Sequence, residues 1–508
     1  MPVLTLLVLL PAVGSITLLF RREERYSRRI ASAFVGASLI LSAWVALRLN
    51  GASGAIQFEE ILFRLPVIGV RWRLGVDGLS ALFLPTADAV ALAILLGSPR
   101  ASLDRRNVAA MLGTLAASLG ILCSLDLALL AVFWVMRLIP GRWVIPLTPT
   151  AAAREWFGRT WSIFLWGGSL PLLPLIAAVG VVGLRAHSLA PFDYHEALAR
   201  GVPDAWQLPL FLCVMLAVFM RLAIAPFHAW LPLLLEHGPY ATGSLLVAVP
   251  VPLYLFARVV VPLFPHGEIV ARPIIIAFAV WSAFYGSVLA IAQRDLRRML
   301  GFIAVSHSGF ALMGFATFNH ESIHGALLES AASSLSLAGL LVLVRGLHAR
   351  TGSSYSDELG GIAGQSPRMT VAFVIFAVAS LGFPGTMTFV SEDLLFHGVL
   401  ALHPVVATAL LVTTAINAIA VLRGFLRTFL GRPHRATRDI PVDDLGTRER
   451  IAVLALCGLV IVGGLRPQPL LDLRAGYVRS QVADHEAAQP HAPHHGHPDD
   501  HGGRHPSR

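Results

Sequence analysis

The sequence contains no lysine, and all 39 of its basic residues are arginine. A buried lysine can lose its proton, whereas arginine stays protonated under protein conditions. A mechanism that moves protons along intramembrane lysines is therefore excluded, and any proton path must use other groups. An arginine-biased genome explains arginine in the loops, but it does not explain a basic residue inside a membrane helix.

Charged residues are also scarce, at 14% of the 508 residues, against roughly 25% in a soluble domain. Together with 56% apolar residues and a mean hydropathy of +0.69, this scarcity predicts an integral membrane protein. The net charge of +9 lies in short loops between apolar segments, which favours a topogenic role over nucleic-acid binding. Residues 3–20 have no preceding basic region and no small-residue cleavage site, so we predict a first helix and not a removable signal.

Only three cysteines are present, scattered through apolar stretches without pair spacing: Cys123, Cys213 and Cys457. They predict neither a disulfide framework nor a metal cluster. The polar C-terminal tail is rich in histidine, and zinc or nickel binding there is an alternative to a solvated tail. These histidines are His485, His491, His494, His495, His497, His501 and His505. Since such a tail has no fixed geometry, we favour the solvated tail and predict no metal and no cofactor.

Fourteen apolar stretches have about the 20-residue length that a bilayer requires, which predicts an all-α polytopic membrane protein. They lie near 3–20, 30–49, 75–97, 107–124, 126–147, 161–184, 208–233, 241–264, 273–292, 299–317, 323–345, 369–396, 401–428 and 451–466. Arginine is concentrated in the odd-numbered loops, for example in 21–29, in 294–298 and in the long 431–450 run. Under the positive-inside rule these loops are cytoplasmic, and both termini are predicted outside.

Two predicted helices carry breakers at mid-depth. Pro226 lies in MRLAIAPFHAWLP and Pro384 in SLGFPGTMTFVSED. Non-helical backbone at membrane depth is tolerated only where it is buried in protein or lines a wet cavity. Two broken helices, five positions apart in the order, indicate two inverted repeats of the transporter kind.

Ionisable residues inside the spans are candidates for function, because burying one costs at least about 2.5–3.5 kcal/mol on insertion scales. The candidates are Arg137, Arg221, His228, His307, Glu329 and Glu392. Alternatives exist for two of them: Arg137 could extend to the cytoplasmic interface, and His307 could simply hydrogen-bond a neighbouring helix. Arg221 and Glu392 are harder to explain structurally, since each flanks a predicted break.

Several motifs together resemble one family. They are LGVDGLS (74–80), APFHAWLP (225–232), QRDLRRMLGFIAVSHSGFALMGF (293–315) and SLGFPGTMTFVSED (380–393). Over about residues 74–430 the chain resembles the antiporter-like membrane subunits of respiratory complex I, and among them the chain M type of bacterial NADH-quinone oxidoreductase. The resemblance implies a bacterial inner-membrane protein that takes part in proton translocation, with no redox cofactor or redox active site of its own. Its implied partners are other membrane subunits, the lipid bilayer and protons.

The resemblance also implies a proton path, and this chain departs from it. The family pairs an acidic residue on helix five with a lysine on helix seven, where this chain has Val135 and Arg221. The helix-eight lysine falls in 250–253, which is apolar, and the helix-eleven histidine corresponds to Ser333, one turn from Glu329. Two further positions do match, His307 and Glu392. Because the positions on helices five, seven and eight have lost titratable character, we predict a partly degenerate proton path.

On this basis we divide the chain into five parts: helices one to three with an outer loop (1–106), a first antiporter-like repeat (107–264), a second repeat (265–430), a loop with helix fourteen (431–466) and a disordered His-rich tail (467–508). Two other functions remain open. One is a non-pumping structural paralogue. The other is a membrane subunit of a cation antiporter, a membrane hydrogenase or an inorganic-carbon uptake complex.

Overall fold

The computed structural model describes residues 2–20, 26–65, 69–99, 103–145, 151–432 and 442–488. Part of the predicted loop charge, at 21–25 and in 433–441, lies outside the described residues, as do the tail histidines from His491 onward.

The chain is a bundle of helices with one small hairpin. The elements up to the first predicted break are α1 (Val3–Phe20), α2 (Ser27–Arg48), β1 (Gln57–Leu65), β2 (Val70–Val76), α3 (Gly78–Gly97), α4 (Arg105–Cys123), α5 (Leu127–Met136), α6 (Ile139–Val144), α7 (Ala151–Gly167), a short turn Leu170–Leu172, α8 (Leu173–Arg185), α9 (Tyr194–Arg200) and α10 (Asp204–Leu222).

The elements after that break complete the bundle. They are α11 (Trp230–His237), α12 (Tyr240–Ala248), α13 (Val251–Leu255), a π-helical turn Phe256–Val260, α14 (Val261–Leu263), α15 (Pro265–Ala292), α16 (Leu296–Ala316), α17 (His320–Thr351), α18 (Ile362–Gln365), α19 (Pro367–Ala379), α20 (Met387–Leu402), α21 (Pro404–Phe425), a π-helical turn Leu426–Leu430, α22 (Thr447–Leu465), α23 (Gln468–Asp472) and α24 (Ala475–Ala488).

The predicted all-α membrane fold is confirmed. Within the described residues, eleven helices are long and apolar enough to cross a membrane. The other three predicted spans are also helical: 161–184 by α7 and α8, 369–396 by α19 and α20, and 451–466 by α22. Helices α16 and α17 form the centre of the bundle, because 94% of the most apolar window of each is buried, against 28% for α2.

Both predicted breaks are present. Helix α10 ends at Leu222, Ala223 takes a left-handed backbone conformation (φ +59°), and α11 begins seven residues later. Helix α19 ends at Ala379 and α20 begins at Met387. Between them Gly382 (φ +65°) and Gly385 (φ +92°) take conformations that a side chain disfavours.

Two parts of the chain differ from the sequence prediction. The outer loop contains an antiparallel hairpin of β1 and β2. The disordered tail is wrong for 468–488, where α23 and α24 pack back against the bundle, with Tyr477 and Val478 buried. The polar composition of the segment concealed these few buried positions. The end of the bundle that carries β1, β2 and α24 is called the hairpin end below.

Candidate functional site

Three central helices bring together two of the predicted residues. His307 on α16 and Glu329 on α17 form a hydrogen-bonded pair, with 2.7 Å between His307 Nδ1 and Glu329 Oε1. The second carboxylate oxygen of Glu329 accepts a bond of 2.6 Å from Ser391 Oγ on α20. Glu329 is completely buried. His307 therefore does bond a neighbouring helix, but its partner is itself titratable.

Glu392 extends this site along α20. Its side chain is 6% exposed and lies against Gly382 in the break, where a Cβ would come within 2.3 Å of Glu392 Oε2. Glu392 directly follows Ser391, the residue that donates to Glu329, and no cation within the described parts of the chain forms an ion pair with Glu392. We call His307, Glu329, Ser391 and Glu392 the central cluster.

A small internal cavity adjoins the central cluster. Its volume is ≈ 30 Å³. Its walls are mainly residues of α12, the Pro250 turn, α16 and α17. His307 Nε2 is buried and has no hydrogen-bond partner among the described residues, and the serine residues Ser308, Ser330, Ser333 and Ser334 line the same space. Most of its lining is apolar, but a cavity of this size holds roughly two water molecules, and one beside the serine hydroxyls would satisfy His307.

A second small cavity lies near the opposite end of the bundle from the hairpin. It is lined by Glu236, Tyr240 and Ser244 together with Arg297 and Arg345. The guanidinium of Arg345 stacks over the ring of Tyr240 at 5.4 Å. Helices α12 and α17 contribute to the walls of both cavities, so the two lie along one helix interface.

Arg221 is buried without an acidic partner. It is 4% exposed, its Nη2 donates to Ser169 Oγ at 2.6 Å, and its Nη1 donates to the carbonyl oxygen of Trp134. The guanidinium also lies over the Trp134 ring, 4.3 Å from its centroid. Arg221 is thus held by a carbonyl, a hydroxyl and an aromatic face, and no carboxylate within the described chain contacts it. Its positive charge is fixed.

Arg137 has the same kind of environment. Its Nε donates to Ser118 Oγ (3.0 Å) and its Nη2 to the carbonyl oxygens of Leu246 (3.3 Å) and Val249 (2.7 Å). The carbonyl of Leu246 is available because its usual helical partner would be the N–H of residue 250, which is a proline. With Arg137 only 2% exposed, the interpretation that it extends to the interface is wrong.

His228 does not join the other predicted residues. Its ring packs edge-on against Tyr285, with 4.9 Å between the ring centroids, and lies 6.0 Å from Phe302. Its Nδ1 is buried without a hydrogen-bond partner. Ser333, the counterpart of the family histidine, donates to the backbone carbonyl of Glu329 (2.7 Å) and lines the cavity beside His307.

Sequence reasoning missed two buried ionisable sites. Arg258 and Asp77 form a buried ion pair of 2.5 Å. The signal was present, since Asp77 lies in LGVDGLS and Arg258 lies inside the predicted span 241–264. Asp88 on α3 accepts bonds from Ser38 (2.9 Å) and Ser42 (2.7 Å) on α2, and it was visible as an acid inside span three.

Comparison with known proteins gives consistent relatives. Residues 159–417 match the family model described as NADH:quinone oxidoreductase/Mrp antiporter, TM. The chain is 26% identical over 480 residues to F(420)H(2) dehydrogenase subunit M of Methanosarcina mazei, covering 93% of this chain and 96% of that protein. It is 28% identical over 496 residues to NADH-quinone oxidoreductase subunit M of Escherichia coli K12, covering 92% and 95%. Respiratory complex I from Thermus thermophilus with bound NADH contains a similar chain, with a TM-score of 0.86, 26% identity and coverage of 96% and 100%.

Proposed function

The chain belongs to the family of membrane subunits of NADH:quinone oxidoreductases and Mrp antiporters, and we propose on that premise that it moves protons, coupled to redox chemistry in other subunits. Its structural relatives are multi-subunit membrane complexes, so other membrane subunits are its partners. The observation that carries the proposal is the central cluster. A buried imidazole and a carboxyl group in contact, with a hydroxyl bonded to that carboxyl group and a second buried carboxyl group on the next residue, can accept and release protons at membrane depth.

The two cavities indicate how protons reach the cluster. The cavity at Glu236 and the cavity at His307 lie along the same α12–α17 interface. A proton would pass from the cavity at Glu236 to the cavity at His307. It would then bind His307 Nε2, and the proton on Nδ1 would move along the hydrogen bond to Glu329. The first half of the path would therefore run beside Arg221 and not through it.

Arg137 and Arg221 are not proton carriers in this proposal. Both are buried, both keep their charge, and each repels the other. They donate hydrogen bonds to the backbone carbonyl groups of Trp134, Leu246 and Val249 and so stabilise them. Two fixed cations without a carboxylate would also repel a proton that approached along the family's helix-five-to-seven route. At the α12–α17 interface Arg297 is paired with Asp295 and Glu236 lines the cavity, which is why we place entry there.

The orientation follows from the loop arginines. Arginine-rich loops at 294–298 and 345–350 lie at the end of the bundle opposite the hairpin, and we propose that this end faces the cytoplasm. Both termini, β1, β2 and α24 would then face outside a bacterial cell membrane, with lipid around the less buried helices such as α2.

The test uses the assembled complex in proteoliposomes, with redox-driven proton translocation and electron transfer measured together. Glu329→Gln and Glu392→Gln should each reduce translocation severalfold while electron transfer is retained in part. Asp393→Asn is the matched control, since Asp393 follows Glu392 on α20 but its side chain is 54% exposed; it should behave as the wild type.

Unchanged translocation in both glutamine variants would refute the catalytic role. It would instead support the second candidate, a non-pumping structural subunit. That candidate is favoured by one observation: Arg221 occupies the place of the family lysine with no carboxylate among its described contacts. Complementation of a strain that lacks its own subunit M would then restore assembly without pumping.

A further inference from the structure

The segment formed by α23 and α24 lies across the hairpin end and is held there by backbone contacts. Gly476 N–H donates to the carbonyl oxygen of Gly51 at 2.8 Å. A Cβ at Gly476 would lie 2.4 Å from the carbonyl carbon of Ser53, so a larger residue would prevent this approach. Tyr477 Oη donates to the carbonyl oxygen of Ala257 at 3.2 Å. The segment is thus docked on the residues that follow α2, on α3 and on the π-helical turn after α13.

Arg474 lies between α23 and α24 and points into the bundle. It is completely buried, and its Nε donates to Nδ1 of His324 on α17 at 3.2 Å. Its Nη1 and Nη2 are buried without hydrogen-bond partners among the described residues. A guanidinium group can only donate, so Nδ1 of His324 must present its lone pair. His324 is therefore neutral in this state, with its proton on Nε2.

His324 lies between the central cluster and the surface. One turn before it on α17 is His320, with 4.8 Å between the ring centroids. His320 is exposed and lines an open cleft of ≈ 680 Å³ together with Asp472 and Arg479. In the other direction, Glu329 follows His324 by five residues, or about 7.5 Å along the helix axis.

The charges around His324 oppose its protonation. The ionisable groups that face it are Arg474 from the C-terminal segment and His320 from its own helix. Beside Arg474 lies the N-terminus of α3, where a Cβ on Gly78 would come 2.7 Å from Arg474 Cα. Asp77 there is already paired with Arg258. A proton on His324 would therefore add a buried positive charge that no carboxylate compensates.

We propose that His324 and His320 form the exit step of the proton path and that Arg474 is a latch that keeps this step closed. The proposal rests on the function proposed above, in which Glu329 and Glu392 carry protons. When Arg474 withdraws, Nδ1 of His324 becomes free to accept a proton that the Glu329 carboxyl group releases, so that an imidazolium forms while Glu329 becomes a carboxylate. The proton on Nε2 then leaves to His320 and to the cleft. Rotation of the ring restores the original tautomer.

Passive proton influx tests the latch directly. Proteoliposomes with the assembled complex are given an imposed membrane potential and no electron donor, and internal pH is followed. Arg474→Gln should raise proton influx severalfold, because it removes the charge that faces His324. Combining Arg474→Gln with His324→Gln should return influx to the wild-type rate. Arg479→Gln is the matched control, since Arg479 is exposed on α24 and donates to backbone carbonyls of Ala52 and Ala475.

Two outcomes would overturn the proposal. One is an influx with Arg474→Gln that equals that of Arg479→Gln. The other is a leak that persists in the double variant, which would show that Arg474 only tethers the segment and that its loss opens the bundle nonspecifically. Electron-transfer rate and intact assembly of each variant are measured alongside. Failure of the proposed function is seen separately, as unchanged redox-driven translocation in Glu329→Gln and Glu392→Gln.

Discussion

Alanine at Gly382 should displace the Glu392 carboxylate without altering any titratable residue. The new Cβ would lie 2.3 Å from Glu392 Oε2 and 3.0 Å from its Cδ, closer than non-bonded atoms approach. The carboxylate would have to move by about 1 Å to reach ordinary van der Waals contact. Alanine at this left-handed position (φ +65°) also costs roughly 1–2 kcal/mol of backbone strain.

Gly385→Ala separates these two effects. Gly385 has a positive φ of +92°, so alanine is strained there as well, but the nearest atom to its Cβ is Leu465 Cδ2 at 3.9 Å. Both variants should therefore lose stability to a comparable extent, measured as the thermal denaturation midpoint of the purified complex. Only Gly382→Ala should reduce redox-driven proton translocation in proteoliposomes, and the ratio of protons to electrons should fall.

Translocation at the wild-type rate in both alanine variants would contradict the reasoning. It would mean that the position of the Glu392 carboxylate does not limit proton movement, and Glu392 would lose its place in the central cluster. A fall of the same size in both variants would attribute the effect to the backbone of the break and not to the carboxylate.

Three further predictions concern single contacts. Arg221→Met should keep redox-driven translocation close to wild type and lower the midpoint in thermal denaturation, because the Trp134 carbonyl and the Ser169 hydroxyl lose their buried donor; loss of translocation would show that Arg221 acts directly. Ser391→Ala removes a bond to the Glu329 carboxylate and should cost about 1.5–3 kcal/mol in the same assay, while an unaltered midpoint would contradict that bond. Burial and the neighbouring Arg272 lower the pKa of His485 on α24 to about 4. Docking of α24 should therefore weaken as pH falls from about 6.5 toward that value. Amide exchange in 475–488 that is independent of pH, after correction for intrinsic rates, would refute this prediction.

Most of the fold could be predicted from the sequence because membrane helices declare themselves by length and hydropathy. Each of the fourteen predicted apolar stretches contains helix within the described residues, and the helices are broken around Pro226 and Pro384 as predicted. The docked C-terminal segment could not be predicted. Its anchors are a glycine contact at Gly51 and a few buried residues, Arg474, Tyr477 and Val478, in an otherwise polar stretch. No periodic pattern marks such a contact.

The site was predictable in its residues but less so in its partners. His307, Glu329 and Glu392 were selected as ionisable residues inside spans, and the structure places them in one cluster. The same criterion applied to every span would also have found Asp88 and Arg258. The pairing of His307 with Glu329 depends on how α16 packs on α17, which residue spacing within each helix does not define.

The structure also bears on why arginine stands where the family has lysine. The Arg221 guanidinium reaches two acceptors on different segments, the Trp134 carbonyl and Ser169, and lies flat on an indole ring. A lysine ammonium is a compact head that cannot stack in this way or span two such acceptors. Arg137 likewise occupies the Leu246 carbonyl that Pro250 leaves unpaired. Genome bias can supply arginine at these positions, but the local geometry makes it the residue that fits. Since a residue fixed in this way cannot release a proton, proton movement through this chain would have to use imidazole and carboxyl groups, which are the groups that α16, α17 and α20 bring into contact.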